Sequence, residues 1–152
     1  MESTKIRPKS EVLNKGIEFD GEIICYAGEY GQQVCDSSKE NAPVTGIIYE
    51  LFPNGNLNYY CGYTEGIQNG ECIEFYVNGA IKMISSMRMG VVHGSQVSWY
   101  ENGKHKSESI MKYGFLVSCK EWDESGNLTR ELNEPGEFER KMIEQYDKLD
   151  EG

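Results

Sequence analysis

GIIYELFPNGNLNYYCGYTEGIQN, Gly46 to Asn69, is followed without a gap by GECIEFYVNGAIKMISSMRMGVVH, Gly70 to His93. GSQVSWYENGKHKSESIMKYGFLV, Gly94 to Val117, comes next. The three stretches align in phase: Gly46, Gly70 and Gly94 are 24 residues apart, as are Gly55, Gly79 and Gly103. A period of this length means that one small unit is being stacked. Each unit holds two β-prone runs. In the first they are Ile47 to Phe52 and Leu57 to Thr64, separated at Asn54-Gly55. Asn-Gly between such runs marks a hairpin, and both residues tolerate the positive φ angles of a type I′ turn. The same pair recurs at Asn78-Gly79 and Asn102-Gly103, with Ser125-Gly126 in a shorter fourth unit. A second glycine-bearing turn closes each unit at 65–69, 89–93 and 113–117. Two turns per unit leave no room for a crossover helix, so the strands are expected to run antiparallel in chain order.

Superposing the units gives the expected core. Leu51, Phe75, Trp99 and Trp122 are equivalent, and Tyr49, Ile73 and Val97 lie two residues earlier, on the same face by strand alternation. Ile67, Val91 and Phe115 repeat near the second turn, and Leu57, Ile81, His105 and Leu128 just after the first. The opposite face carries Glu50, Glu74 and Ser98 beside the aromatic ladder Phe52, Tyr76 and Tyr100. That ladder reads either as cross-strand packing or as a binding surface. The fold expected is mainly β: a single-layer, twisted antiparallel meander of hairpin repeats with a C-terminal capping helix.

The two ends differ from the middle. Residues 1–20 are polar and weakly patterned, a flexible arm in which Val12 and Leu13 could dock on the core. Residues 21–133 form the repeat domain. Within it 21–45 reads as a degenerate first repeat opening on the strand-like Ile23-Ile24-Cys25-Tyr26, and 118–133 as a short last one. Residues 134–152 are an acidic helix. Phe138, Met142, Tyr146 and Leu149 form one apolar stripe on it, with Glu137 and Glu139 at its start. The helix is expected to cap the last open edge of the sheet.

The charge is −10, unevenly spread: residues 118–152 hold five Lys/Arg against eleven Asp/Glu. An acidic chain repels phosphate backbones and anionic headgroups, so no nucleic acid and no membrane partner is expected, and a basic protein is the natural complement. Five cysteines, Cys25, Cys35, Cys61, Cys72 and Cys119, show no C-x-x-C pair, and MESTKIRPKS has no apolar secretory core. The expectation is cytoplasmic location with buried thiols, a Cys25–Cys35 disulfide being the alternative. His93 and His105 lack metal-ligand spacing, no phosphate-binding or nucleophile motif occurs, and no cofactor is expected. A carboxylate pair could in principle hydrolyse a glycoside, but the reading is of a protein that is not an enzyme.

The segments Phe52-Pro53-Asn54-Gly55-Asn56-Leu57, Tyr76-Val77-Asn78-Gly79-Ala80-Ile81 and Trp99-Tyr100-Glu101-Asn102-Gly103-Lys104 resemble the MORN repeat. They are most similar to its bacterial variant in antitoxin and immunity proteins of the YwqK type. The resemblance covers about Gly46 to Leu132. It implies an elongated antiparallel meander that binds a protein and performs no chemistry, with a toxin as the partner. The alternative is a scaffold that presents its repeats to other proteins. The candidate contact residues are Phe52, Tyr76, Tyr100, Glu50 and Glu74 on the repeats. Glu121, Asp123, Glu124, Glu134 and Glu137 join them in the acidic run. Asn54, Gly55, Asn78, Gly79, Asn102, Gly103 and Gly126 are assigned to turns.

Overall fold

The computed structural model describes residues 5–21, 24–27 and 33–151, and of 25–27 the backbone alone. Ile23, expected to open a strand, lies outside the described residues. The chain begins with helix α1 (Lys9–Lys15) and the short strand β1 (Ile17–Glu18). Strands β2 (Ile24–Ala27), β3 (Gln33–Asp36) and β4 (Ala42–Pro43) follow. Then come β5 (Gly46–Leu51), β6 (Leu57–Thr64), β7 (Ile67–Phe75), β8 (Ile81–Arg88) and β9 (Val91–Trp99). The last elements are β10 (His105–Lys112), β11 (Phe115–Trp122), β12 (Leu128–Leu132) and helix α2 (Glu137–Glu151). Strands β5 to β12 pair antiparallel in chain order, as the two-turn unit requires. One strand lies outside the repeat pattern: β1 adds to β5 in parallel, with Ile17 opposite Ile48, making nine strands.

The two turns of each unit exchange the chemistry expected of them. At the first turn Gly55 N–H donates to the Phe52 carbonyl at 2.8 Å and Phe52 N–H to the Asn56 carbonyl at 2.8 Å. Only the glycine has positive φ, +87° at Gly55, +92° at Gly79 and +86° at Gly103. This is a three-residue loop with one left-handed glycine, not a type I′ turn. Asn54, Asn78 and Asn102 serve differently: each side-chain oxygen accepts the N–H two residues on, at 2.9, 2.9 and 3.0 Å. The tight two-residue turns are the second ones. Glu65-Gly66, Met89-Gly90 and Tyr113-Gly114 all have positive φ at both positions.

Register shows how the sheet divides its faces. Tyr49, Tyr60, Ile73, Ile84, Val97, Glu108, Lys120 and Glu131 are direct partners in turn across β5 to β12. They therefore share one face, here the helical face. The row is apolar for five strands and charged for the last three. Tyr49, Tyr60 and Ile73 are buried, with Leu57 and Val12 of α1 in the same cluster. The expected ladders hold at this end and fade along the sheet. Leu51, Phe75 and Ile81 pack against the cluster, Trp99 and Trp122 are half-buried, and Val91, His105 and Leu128 are exposed.

The N-terminal segment is ordered over its described part, because Val12 is fully buried against the sheet while Leu13 points outward. Residues 24–27 and 33–43 do not form a first rung of the long sheet. They make a separate three-stranded sheet whose Ile24 and Val34 pack on Ile48 and Tyr63, the other face of the long sheet. Gly66 permits the approach: a β-carbon there would lie 2.8 Å from the Val34 carbonyl, and Val34 N–H donates to the Gly66 carbonyl at 2.8 Å. Helix α2 packs chiefly on β11 and over the turns after β8 and β10, on the helical face rather than along the edge of β12. Its buried residue is Ile143, and Phe138 and Leu149 of the expected stripe are exposed. Ion pairs fix its rotation: Asp147 meets Lys112 at 2.8 Å and Asp150 meets Arg88.

Cys61 and Cys72 are disulfide-bonded, contrary to the expectation of thiols throughout. A register shift in the β6–β7 hairpin is the cause, since it sets the two residues directly opposite each other. Cys119 is a buried free thiol. Cys35 is also buried and stands opposite Cys25, whose side chain lies outside the described residues.

Candidate functional site

Side-chain chemistry is concentrated in three places, and each arises from the repeat. The first is the chain of second turns. Thr45, Asn69 and His93 are 24 residues apart, and each accepts the leading amide of the turn beside it. Glu65 N–H donates to Thr45 Oγ1 at 3.0 Å, Met89 N–H to Asn69 Oδ1 at 3.3 Å and Tyr113 N–H to His93 Nδ1 at 2.9 Å. His93 is therefore a hydrogen-bond acceptor at a turn. His105 instead lies between Trp99 and Trp122, its ring 5.8 and 5.9 Å from theirs, with Glu108 at 3.1 Å. Among the described residues no group of His, Cys, Asp and Glu could hold a metal ion.

The second place is where α2 meets the last turns. The Tyr113 hydroxyl donates to Asp147 at 2.7 Å, and the Tyr113 ring stacks on Tyr146 at 5.3 Å. The bond to Asp147 raises the Tyr113 pKa to about 12. Lys112 holds Asp147 below the usual carboxylate range, and Arg88 does the same to Asp150. Part of the acidic tail is thus turned inward.

The third place is the face opposite the helices, the open face. Glu50, Tyr59, Glu74, Met83, Ser98, Ser107, Glu121 and Arg130 are successive direct partners across it. A parallel row runs Ile48, Cys61, Cys72, Ser85, Gln96, Ser109, Cys119 and Leu132. Its middle is polar but uncharged. Ser98 and Ser107 share a short hydrogen bond, and Gln96 donates to Ser85 at 3.2 Å.

The candidate residues named from sequence are divided by this geometry. Glu50 and Glu74 lie on the open face, two strands apart and half-buried. Tyr76 and Tyr100 hold successive hairpins together, since their hydroxyls donate to the carbonyls of Trp99 and Trp122, each at 2.8 Å. Lys82 and Lys106 stand over the two rings at 5.8 and 5.6 Å. Phe52 keeps the position without a hydroxyl, and there Asn54 and Asn56 both donate to the Val77 carbonyl at 3.0 Å. Glu121 pairs with Arg130 at 3.5 Å. Asp123 accepts the amides of Ser125 and Asn127, which hold its pKa down, and so it builds the fourth turn. Glu134 and Glu137 pair with Arg140 and Lys141 at 3.6 and 3.5 Å on the surface, and Glu124 is exposed. The tyrosine–carbonyl bonds escape a reading of the sequence, although the spacing of Tyr76 from Trp99 and of Tyr100 from Trp122 carries the signal.

Comparison with known proteins agrees with the repeat. Residues 92–113, nearly the third complete unit, match the family described as "MORN repeat variant". Over 119 residues the chain is 52% identical to a Bacillus subtilis (strain 168) protein named "Immunity protein YwqK". The alignment covers 77% of this chain and 75% of that one. No solved structure matches the chain significantly.

Proposed function

The chain belongs to the family of the immunity protein YwqK, and we propose that it neutralises a cognate protein toxin by binding it directly. The observation that carries the reading is the 52% identity to a protein of that name across three quarters of both chains. The geometry supports it, because the recurring residues of the unit are absorbed by turns and packing, and the open face over β9 to β12 carries no helix or strand of the described residues. An acidic protein of net charge −10 is attracted to a toxin with a basic surface, which accelerates the encounter. The same charge disfavours nucleic acid and anionic membrane. No helix among the described residues is long and apolar enough to cross a membrane. On this reading the protein acts by binding alone, without catalysis.

The experiment is co-expression with the toxin-like product of the adjacent gene. Restored growth and a co-purifying complex support the proposal; a toxic neighbour whose effect is unchanged and which forms no complex rejects it. A scaffold role is the second reading, favoured only by the outer edge of β12, which pairs with no other strand among the described residues. It predicts self-association or peptide capture on that edge with no effect on growth.

A further inference from the structure

We propose that the Cys61–Cys72 disulfide is a reducible lock on the docking of the small sheet: a dithiol reductant opens it, and the hairpin tip that anchors the small sheet then loosens. This goes beyond the binding role proposed for the chain and does not depend on it. The tip of the β6–β7 hairpin, Glu65-Gly66, is the polar anchor of the small sheet. Val34 N–H donates to the Gly66 carbonyl at 2.8 Å, and Gly66 N–H donates to the Val44 carbonyl at 2.7 Å. Glu65 N–H donates to Thr45 Oγ1 at 3.0 Å, and the Gln33 side-chain amide donates to the Glu65 carbonyl at 3.1 Å. Tyr63, on the same tip, packs against the cluster of Ile24, Val34, Val44 and Ile48. Whatever steadies this tip therefore steadies the small sheet.

The tip is set off from the rest of its ladder. Between the partners Tyr63 and Gln68 and the partners Cys61 and Cys72, β6 has Gly62 alone, whereas β7 has Asn69, Gly70 and Glu71. Such a bulge interrupts pairing, and the disulfide lies at its base. The next unit supplies the comparison. Its β8–β9 hairpin has the same irregularity, between the partners Met87 and Val92 and the partners Ser85 and Gln96. There the base is held by the Gln96 side-chain amide, which donates to Ser85 Oγ at 3.2 Å. A hydrogen bond keeps that bulge in register, so reduction of Cys61–Cys72 leaves the fold standing and removes what the covalent link adds. The addition is a restriction of the opened tip. With residues 11 apart joined, an opened tip gains little conformational freedom; with two thiols it gains much more. In the exchange a thiolate of the reductant attacks one sulfur, and the Cys61–Cys72 bond breaks to a mixed disulfide. The reductant's second thiol then displaces the protein and leaves as part of a disulfide. Its electron pair and two protons end on Cys61 and Cys72 as thiols.

The test reads amide exchange by NMR on the whole protein, oxidised and then reduced with dithiothreitol at one pH, with peptide mapping to establish the state of Cys61 and Cys72. Expected on reduction is a loss of protection of about tenfold at Val34, Val44 and Gly66. Gly114, whose N–H donates to the Val92 carbonyl at 2.9 Å in the third unit, should be unchanged. Cys61→Ser with Cys72→Gln copies the Ser85–Gln96 pair into the first unit. That variant should exchange at Val34 as the reduced parent does and show no response to dithiothreitol. Should it not fold, reduction of the parent alone decides. Unchanged protection at Val34 on reduction, an equal loss at Gly114, or the absence of a Cys61–Cys72 pair from the oxidised protein overturns the proposal. A response to dithiothreitol that persists in the variant overturns it too, since Cys25, Cys35 or Cys119 would then carry the effect.

Discussion

The hydroxyl of Tyr76 donates to the backbone carbonyl of Trp99 at 2.8 Å, one repeat further along the chain. Tyr100 and Trp122 make the same bond at the same length. Tyr76 and Tyr100 of the aromatic ladder thus staple successive hairpins together. Tyr76→Phe and Tyr100→Phe should each lower stability by about 1 kcal/mol, the net worth of such a bond, by urea denaturation. They should leave partner affinity unchanged. A variant as stable as the parent but weaker in binding would return these residues to the contact surface.

His93 should be replaceable by the residue that holds its place one unit earlier. Asn69 accepts the Met89 amide as His93 accepts that of Tyr113. His93→Asn should keep amide exchange at Tyr113 slow, and His93→Ala should speed it and cost about 1 kcal/mol. Equal exchange in the two variants would show that the bond does not hold the turn.

Helix α2 should be held over a bounded pH range. Asp147 and Asp150 have pKa values below their ordinary 3.8, so their contribution is present above that value and is lost as acid protonates them. Tyr113 has its pKa raised from 10.0 to about 12, so its contribution is complete below 10.0 and is lost as pH climbs between those values. Protection of the α2 amides, taken relative to the intrinsic base-catalysed exchange rate at each pH, should therefore be greatest between these limits and fall beyond each. Tyr113→Phe should remove most of the alkaline limb while leaving the acid one.

The disulfide should matter to the hairpin it crosses. Cys61 and Cys72 are 11 residues apart, and closing a loop of this length restricts the unfolded chain by up to about 3 kcal/mol. The double Cys→Ala variant should unfold at lower urea by that order, and non-reducing peptide mapping should recover the Cys61–Cys72 pair from the parent. Free thiols at both positions in the purified protein, or an unchanged midpoint, would contradict the assignment.

How far the fold was legible depended on whether local chemistry or register decided the feature. The glycine period, the antiparallel order and the amphipathic C-terminal segment all follow from composition and spacing. The turn types did not, because Asn54-Gly55 suits a type I′ turn by sequence, yet the register shift between Glu50 and Leu51 lengthens the loop. The cysteine pair was hidden for the same reason. Counting back evenly from Thr64 opposite Ile67 places Cys61 across from Gly70, and only the shift brings it to Cys72. The α1 docking depended on one buried residue, Val12, in a polar segment whose pattern is otherwise weak. The open face was half legible: Glu50 and Glu74 stand out by spacing, whereas their relation to Tyr59 and the methionines appears only once strands are paired.

Titration calorimetry of the purified chain with the purified toxin-like product of the neighbouring gene, alongside that toxin's activity, is the decisive measurement. An immunity role predicts a stoichiometric complex, association that slows as salt rises, and loss of toxin activity in step with saturation. A toxin that stays active when fully mixed with the protein, or that shows no heat of binding and no complex, would refute that role.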